Sequence, residues 1–263
     1  MKKLSTLLFA ILFPVVLSFP QGSGGSAASV ECVSLIDVPT AGVLNRGNVG
    51  LNFYFMPMGV LISRIEVGVF DNFSFGISYG ASNFIGVGSP EWYKLPGVNV
   101  KFRILEETES APSIALGFDS QGKGEYFTKL NDKEINRFKI KSPGFYAAFS
   151  KNYQFLGYFS MHGVVSYSLE KDDRDRDMDL MVGVEKTLGA HVSLIAEYDF
   201  AINDNTGNAL GDGSGYFNAG IRWSVGEGLT VGFDLRDLLN NKKVNAGAAD
   251  RAIRIDFVKP IFK

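Results

Sequence analysis

The sequence has no excess of charge of either sign, since 26 basic and 28 acidic residues give a net charge of -2 over 263 residues. A protein that binds nucleic acid normally carries a basic excess or a basic stripe, so no nucleic-acid partner is predicted. Cys32 is the only cysteine, which excludes an intramolecular disulfide. Charged residues make up 21 % of the chain, and helix-favouring residues are scarce, whereas 30 Gly, 22 Phe and 10 Tyr favour one large β domain.

Motifs for catalysis and metal binding are also scarce. A hydrolase needs a base beside a nucleophile and an orienting group, and the chain has only two histidines, His162 and His191. The alternating aspartates of 172–179 could bind a divalent cation through oxygen, but a solvated loop tip explains them as well. Residues 203–215 lack the spacing of a calcium-binding loop. No catalytic residue, metal or cofactor is predicted, and the protein is not expected to be an enzyme.

The N-terminus has the features of a secretory signal. Two lysines precede an apolar run from Leu4 to about Phe19, and a segment of small residues follows. The run is short for a spanning helix and contains Pro14, which disfavours a membrane anchor. We therefore predict a signal peptide at residues 1–29, a periplasmic N-terminal segment at 30–47 and the main domain at 48–263.

The main domain repeats one pattern. In the stretch from Ile65 to Ser82, large apolar residues alternate with Gly, Ser or charged residues on both sides of Asp71-Asn72, which predicts a β-hairpin. Similar segments of about 8 to 12 residues, the length of a tilted membrane strand, recur along the chain. The predicted strands are 48–56, 60–70, 73–82, 97–106, 113–120, 144–151, 157–169, 178–187, 191–201, 215–224, 228–237 and 251–262.

The connections between these strands alternate in length. Those after even-numbered strands are short, whereas most of those after odd-numbered strands are long and polar, as at 83–96 and 121–142. Bacterial outer-membrane barrels have short turns at one rim and long loops at the other. The connection "MPMG", residues 56–59, is an exception, because it is short where a long loop is expected.

A soluble β-sandwich or barrel shares this alternation, and periodicity alone does not say which face is outside. The signal sequence, the even number of strands and the aromatic residues near strand ends favour the membrane. We predict an all-β fold: a transmembrane antiparallel up-and-down β-barrel of about 12 strands, located in the outer membrane, with both termini periplasmic and the long loops extracellular. Its expected partners are outer-membrane lipid and the machinery that inserts barrels.

If the apolar faces meet lipid, the opposite faces line a lumen with charges of both signs. Such a lining could select a solute, or its ion pairs could brace the wall and close the lumen. In the distinctive loop at 83–96, Trp92 and Tyr93 could bind a sugar face, or they could be explained by an interfacial anchor or a folded-in loop. The predicted lumen-lining residues are Arg64, Glu66, Lys101, Arg103, Asp119, Glu185, Glu197, Asp199, Arg222, Asp234, Arg236, Arg254 and Asp256.

Several phrases of the chain resemble those of a known family. They include "SLIDVPTAGVLNRGNVGLNFYF", "FGISYGASNFIGVGSPEWYKLPGVNVKFRI" and "LIAEYDFAINDN". These resemble bacterial outer-membrane β-barrels related to the YjbH-like exopolysaccharide-associated proteins. The resemblance implies an outer-membrane barrel with a link to polysaccharide export, and it implies no active-site residues.

Three functions follow as hypotheses. The first is a narrow, porin-like channel for a polysaccharide or small solute, linked to exopolysaccharide export. The second is a structural or adhesive barrel whose lumen is closed by salt bridges. The third is an outer-membrane lipid hydrolase, which is disfavoured because His162 is expected to face the lumen, away from lipid.

Overall fold

The computed structural model describes residues 23–28, 30–244 and 249–261. Most of the predicted signal peptide lies outside these residues. In chain order the strands are β1 (Asn48–Met56), β2 (Val60–Phe70), β3 (Phe73–Ser82), β4 (Glu91–Trp92), β5 (Gly97–Leu105), β6 (Ser113–Asp119), β7 (Lys123–Leu130), β8 (Lys133–Ile140), β9 (Gly144–Gln154), β10 (Tyr158–Tyr167), β11 (Asp179–Leu188), β12 (Val192–Asp199), β13 (Tyr216–Gly226), β14 (Leu229–Arg236) and β15 (Asp250–Pro260).

Twelve of these strands form a closed antiparallel barrel. β4, β7 and β8 lie outside the barrel wall. The other strands pair in chain order, so that β3 pairs with β5 and β6 pairs with β9. The barrel closes where β1 pairs with β15, from Asn48 opposite Pro260 to Phe55 opposite Ile253. The predicted up-and-down barrel of twelve strands is confirmed, and its strands lie within a few residues of the predicted spans.

The alternation of the strands separates two surfaces. On the outer surface, Phe75, Ile77 and Phe233 are 38 to 49 % exposed. On the inner surface, Glu66 and Ser74 are at most 3 % exposed. The charged and small residues therefore point inward, and the large apolar residues form the outer belt of the barrel.

The two rims differ as the connection lengths predict. The short-turn rim carries the turns at 71–72, 106–112, 155–157, 189–191 and 227–228. The long-loop rim carries 83–96, the hairpin of β7 and β8, and the loops after β10, β12 and β14. The connection at 57–59 is a tight turn in which Met58 and Gly59 both have positive φ. Among the described residues, the helical part is the single 3-10 turn Ile202–Asp204.

No helix in the described part of the chain is long and apolar enough to cross a membrane.

Residues 30–44, here called the luminal loop, lie inside the barrel. The preceding residues bind the short-turn rim, where the amides of Ser26 and Ala27 donate to the carbonyls of Gly189 and Ala190. The loop then turns at a bridge between Ser34 and Pro39. Its return ends at the same rim, where the amide of Gly47 donates to Gly68 just before β1.

The luminal loop has its own apolar core. Leu35, Ile36 and Val38 are fully buried. They pack in one cluster with inward-facing wall residues, including Tyr146, Val164, Met181 and Ile195. Burial of this kind, at roughly 1.5–3 kcal/mol for each large aliphatic side chain, favours a defined position in the lumen. This burial in the lumen was not predicted from the sequence, and the periplasmic location of residues 30–47 stays a prediction.

Candidate functional site in the barrel lumen

Glu197, on β12, holds the tip of the luminal loop. Its carboxylate accepts hydrogen bonds from the backbone amides of Ile36 at 3.0 Å, Asp37 at 2.9 Å and Val38 at 3.2 Å. The side-chain amide of Asn218 donates to the same carboxylate at 2.8 Å. Consecutive amides that converge on one anion form a favourable concave site. Glu197 therefore binds the turn of the loop by its backbone.

Asp37, at the tip of the loop, binds cationic side chains of the barrel. Its carboxylate accepts from Arg236 Nε at 2.9 Å and from Arg236 Nη2 at 3.2 Å. Lys123 Nζ, at the start of β7, lies 2.8 Å from the same carboxylate. Lys123 also donates to the carbonyl of Ile36 at 2.7 Å. The tip is thus tied both to the wall and to the hairpin of the long-loop rim.

The stem of the loop is held by cations on the wall. Lys101 Nζ donates to the carbonyls of Val33, Thr40 and Gly42 at 2.8, 3.0 and 3.0 Å. Among the described residues Lys101 forms no salt bridge. Three carbonyl dipoles from the loop therefore take the place of a counter-ion.

Two further wall arginines bind the stem. Arg103 Nη1 lies 2.7 Å from the carboxylate of Glu31. Arg254 Nη1 donates to the carbonyls of Leu35 at 2.7 Å and Ser34 at 3.2 Å. Arg254 also pairs with Asp256 at 2.7 Å, so one guanidinium serves both the wall and the loop.

The predicted lumen residues fall into three groups in the structure. Lys101, Arg103, Glu197, Arg222, Arg236 and Arg254 contact the luminal loop directly, and Arg222 does so by donating from Nη2 to the carbonyl of Leu35 at 3.4 Å. Glu185 accepts from the amide of Gly24 at 3.4 Å, next to the loop entrance. The remaining residues bind other parts of the barrel: Arg64 with Asp119 at 2.6 Å, Asp234 with Arg222, Asp256 with Asn52 at 2.6 Å, Glu66 with Ser74 at 2.8 Å, and Asp199 with the amide of Ala201 at 2.7 Å.

Sequence reasoning missed the loop's own acids, Glu31 and Asp37, and also Lys123, which pairs with Asp37. One signal was present. The segment "SLIDVPTAGV", residues 34–43, is apolar for a linker in the periplasm. An apolar, non-periodic segment directly before a barrel strand is a candidate for burial in the lumen.

The β7–β8 hairpin closes over the long-loop rim through a buried ion cluster. Arg137 is fully buried, and its guanidinium binds Asp173 at 2.9 Å and Asp204. Lys141 binds Asp173 at 2.7 Å. Burial by itself would raise the pKa of Asp204, but Arg137 and Lys242 outweigh it and lower that pKa from its ordinary value of 3.8 to about 2.

The two predicted loop aromatics lie on different sides of the wall. Trp92 is 58 % exposed and stacks on Tyr79, with ring centroids 5.7 Å apart and planes at 7°. Tyr93 is buried, and its hydroxyl donates to the carbonyl of Gly124 in the hairpin at 2.7 Å. Its ring meets that of Phe138 edge to face. Trp92 is therefore exposed on the outer surface of the barrel, whereas Tyr93 binds the β7–β8 hairpin.

A cavity of about 200 Å³ remains between the luminal loop and the wall. Residues from both rims contribute to its lining, which includes Glu227 at one end and Lys141 at the other. Its middle is lined by wall charges of both signs, among them Arg64, Glu66, Lys101 and Asp119.

His162, a residue weighed for catalysis, faces the interior. Its Nδ1 lies 2.8 Å from Ser150 Oγ, and that hydroxyl also accepts from the amide of Ala41 in the luminal loop at 2.9 Å. Nε2 of His162 is buried and has no hydrogen-bond partner among the described residues. The pair of His162 and Ser150 lacks a carboxylate that would orient the imidazole, and Ser150 binds the luminal loop. No group of three or more His, Cys, Asp or Glu side chains in the described part could hold a metal ion.

Comparison with known proteins gives a distant likeness to solved barrels. The KdgM porin has 10 % identity and a TM-score of 0.48, covering 82 % of this chain and 99 % of that one. The NanC porin has 9 % identity and a TM-score of 0.43, covering 81 % and 100 %. The Acinetobacter baumannii outer membrane protein Omp33 has 8 % identity and a TM-score of 0.46, covering 80 % and 96 %. Likeness at this level carries no argument about function.

No family model and no curated protein sequence matches the chain.

Proposed function

We propose that this chain is a porin-like channel of the bacterial outer membrane, and that its luminal loop closes the channel until the loop is displaced. The membrane location is supported by the outer belt, in which large apolar side chains face outward on strands all around the barrel. In the same proposal, the long loops are extracellular and both termini are periplasmic.

The observation that carries the proposal is the way in which the loop is held. Glu197, Lys101 and Arg254 bind it through backbone groups, and Arg236 and Arg103 bind it through Asp37 and Glu31. All of these contacts are noncovalent and polar. They hold a defined closed state, and the charges on the wall would be solvated if the loop left.

A steric wedge tests the proposal without changing charge. Gly183 faces the lumen on β11, and a Cβ at this position would lie 2.3 Å from Leu35 Cδ1. Because Leu35 is fully buried, Gly183→Leu should push the loop out of place. Gly163→Leu is the matched control, because a Cβ there meets nothing within 4 Å and points outward.

The measurement is single-channel conductance in planar bilayers, with heat-modifiable gel mobility to verify folding. We expect open steps from Gly183→Leu and long silent periods from the wild type and Gly163→Leu. The accessibility of Cys32, the only thiol, to a polar thiol reagent reports the loop position. A folded Gly183→Leu barrel that is labelled at Cys32 but stays silent would exclude the channel.

The second candidate is a structural barrel that never conducts. It is favoured by ion pairs that join the wall to itself, such as Arg64 with Asp119 and Arg222 with Asp234. The silent but labelled outcome above would support it. The relation to YjbH-like proteins and to polysaccharide export stays a prediction, tested by the amount of secreted polysaccharide in a strain that lacks the chain.

A further inference from the structure

We propose that Arg236, Lys123 and Asn218 form an anion-binding site in the lumen, and that Asp37 occupies it as an intramolecular substitute for a carboxylate or phosphate group of a solute. The proposal rests on the proposed function in one respect, because a solute can use the site only after the loop has moved.

The site has the geometry of an anion receptor. Arg236 presents Nε and Nη2 to the two oxygens of Asp37 at 2.9 and 3.2 Å, a side-on fork. Lys123 adds a positive charge at 2.8 Å, and Asn218 Nδ2 lies 3.5 Å from Oδ2. A planar carboxylate fits such a fork, and a phosphate presents oxygens at similar spacing.

The site also has donor capacity that Asp37 does not use. Arg236 is 2 % exposed, and its Nη1 has no hydrogen-bond partner among the described residues. Buried guanidinium donors are normally paired. A ligand with more oxygens than one carboxylate could use this donor, which favours solutes that carry several anionic groups.

The anion-binding site accepts a carboxylate even though Glu197 is close by. Asn218 donates to Glu197 at 2.8 Å and also faces Asp37. Asp234 lies 3.6 Å from Arg236 Nη2 and pairs with Arg222, so three carboxylates already share this region. Arg236 and Lys123 compensate the negative charge of Asp37, the carboxylate at the tip of the loop. A free anion in place of Asp37 would meet the same compensation.

The position of the site fits a binding step for an incoming solute. Arg236 ends β14 and Lys123 begins β7, so both lie at the long-loop end of the lumen. When the loop leaves, Lys101 loses its three carbonyl partners and Arg103 loses Glu31. Displacement of the loop thus exposes further cationic side chains where the stem lay. An anion bound at Arg236 could then bind next at Lys101 and Arg103.

Chemical rescue tests the site without any need for conduction. Asp37→Ala removes the internal carboxylate, and acetate reproduces the removed group. We expect acetate to raise the unfolding midpoint of Asp37→Ala in micelles by about 2–4 °C, and to leave the wild type unchanged, relative to chloride at equal ionic strength. Inorganic phosphate is the parallel probe. If Asp37→Ala does not fold, Asp37→Ser replaces it.

The control is the double variant Asp37→Ala with Arg236→Gln, which lacks the fork. Rescue of the single but not the double variant supports the site, and rescue by phosphate alone would assign it to phosphate groups. Equal effects on both variants, or none on either, would overturn it. Since the readout is stability, a silent Gly183→Leu channel would disprove the proposed conduction and leave this result standing.

Discussion

The backbone amide of Asp37 donates two hydrogen bonds to the Glu197 carboxylate, at 2.9 and 3.1 Å, across 160 residues of sequence. This contact joins the N-terminal segment to the far wall of the barrel. It makes Glu197 the residue on which the closed position of the luminal loop most directly depends.

Glu197→Gln should therefore release the tip. The glutamine NH2 group replaces an acceptor oxygen and faces backbone donors, and the charge that assisted the remaining bonds is gone. A charge-assisted hydrogen bond contributes about 1.5–3 kcal/mol, so we expect Cys32 to react with a polar thiol reagent about 10- to 100-fold faster.

Asp119→Asn is the matched control for this experiment. It also neutralises a wall carboxylate, but its partners are Arg64 and the amide of Gln121, outside the loop. Equal labelling rates in Glu197→Gln and Asp119→Asn would contradict the role assigned to Glu197.

Arg137→Gln should free the β7–β8 hairpin from the long-loop rim. The change leaves Asp173 and Asp204 without their buried guanidinium, and breaking a buried pair in this way costs about 3–5 kcal/mol. We expect proteinase K to cut the hairpin much faster, while the barrel keeps its heat-modifiable mobility. Glu134→Gln, an exposed change on the same strand, should leave the cutting rate at the wild-type value.

Acid should weaken the same cluster within a defined range of pH. The pKa of Asp204 is lowered to about 2 in the folded loop, below its value in an unfolded chain, so the folded loop binds the proton less tightly. The stabilisation is complete above about pH 4 and is lost as the pH falls through about 2. Pepsin cleavage of the long loops should rise across this range.

Asp204→Asn provides the comparison for the acid experiment. It cannot titrate, so its pepsin sensitivity should already be high at pH 4 and should change little on further acidification. A wild-type profile as flat as that of the variant would exclude Asp204 as the titrating group.

A lysine on the outer belt should destabilise the barrel in lipid. Ile77 lies near the middle of β3 and is 49 % exposed. A lysine at the bilayer midplane costs about 2–4 kcal/mol and near an interface about 0–1 kcal/mol. We expect Ile77→Lys to lower the free energy of unfolding in phospholipid vesicles by the larger amount, measured by urea titration.

Met58→Lys is the control for the belt, because Met58 is 58 % exposed in the turn at the long-loop rim. It should cost no more than the interfacial amount. If both lysines are equally harmless, the outer belt does not face lipid and the membrane location is wrong.

Strand positions could be predicted because alternation is local. In β14, large apolar residues occupy every second position from Leu229 to Leu235, and this pattern is visible without knowledge of the pairing partners. β4, β7 and β8 were not predicted. β4 is only two residues long. The hairpin lies within a long polar loop and depends on distant partners such as Asp173 and Asp204.

The sequence by itself determined the twelve strands of the barrel wall, the short-turn and long-loop rims and the division of each wall strand into an apolar and a polar face, because period-two patterning and turn chemistry act over a few residues. Only the tertiary structure decided that the lumen is filled by residues 30–44. That arrangement depends on pairs such as Ile36 with Glu197 and Asp37 with Arg236, which lie 161 and 199 residues apart. No local pattern encodes such a pair; it forms when the closed barrel brings its inner wall around the loop.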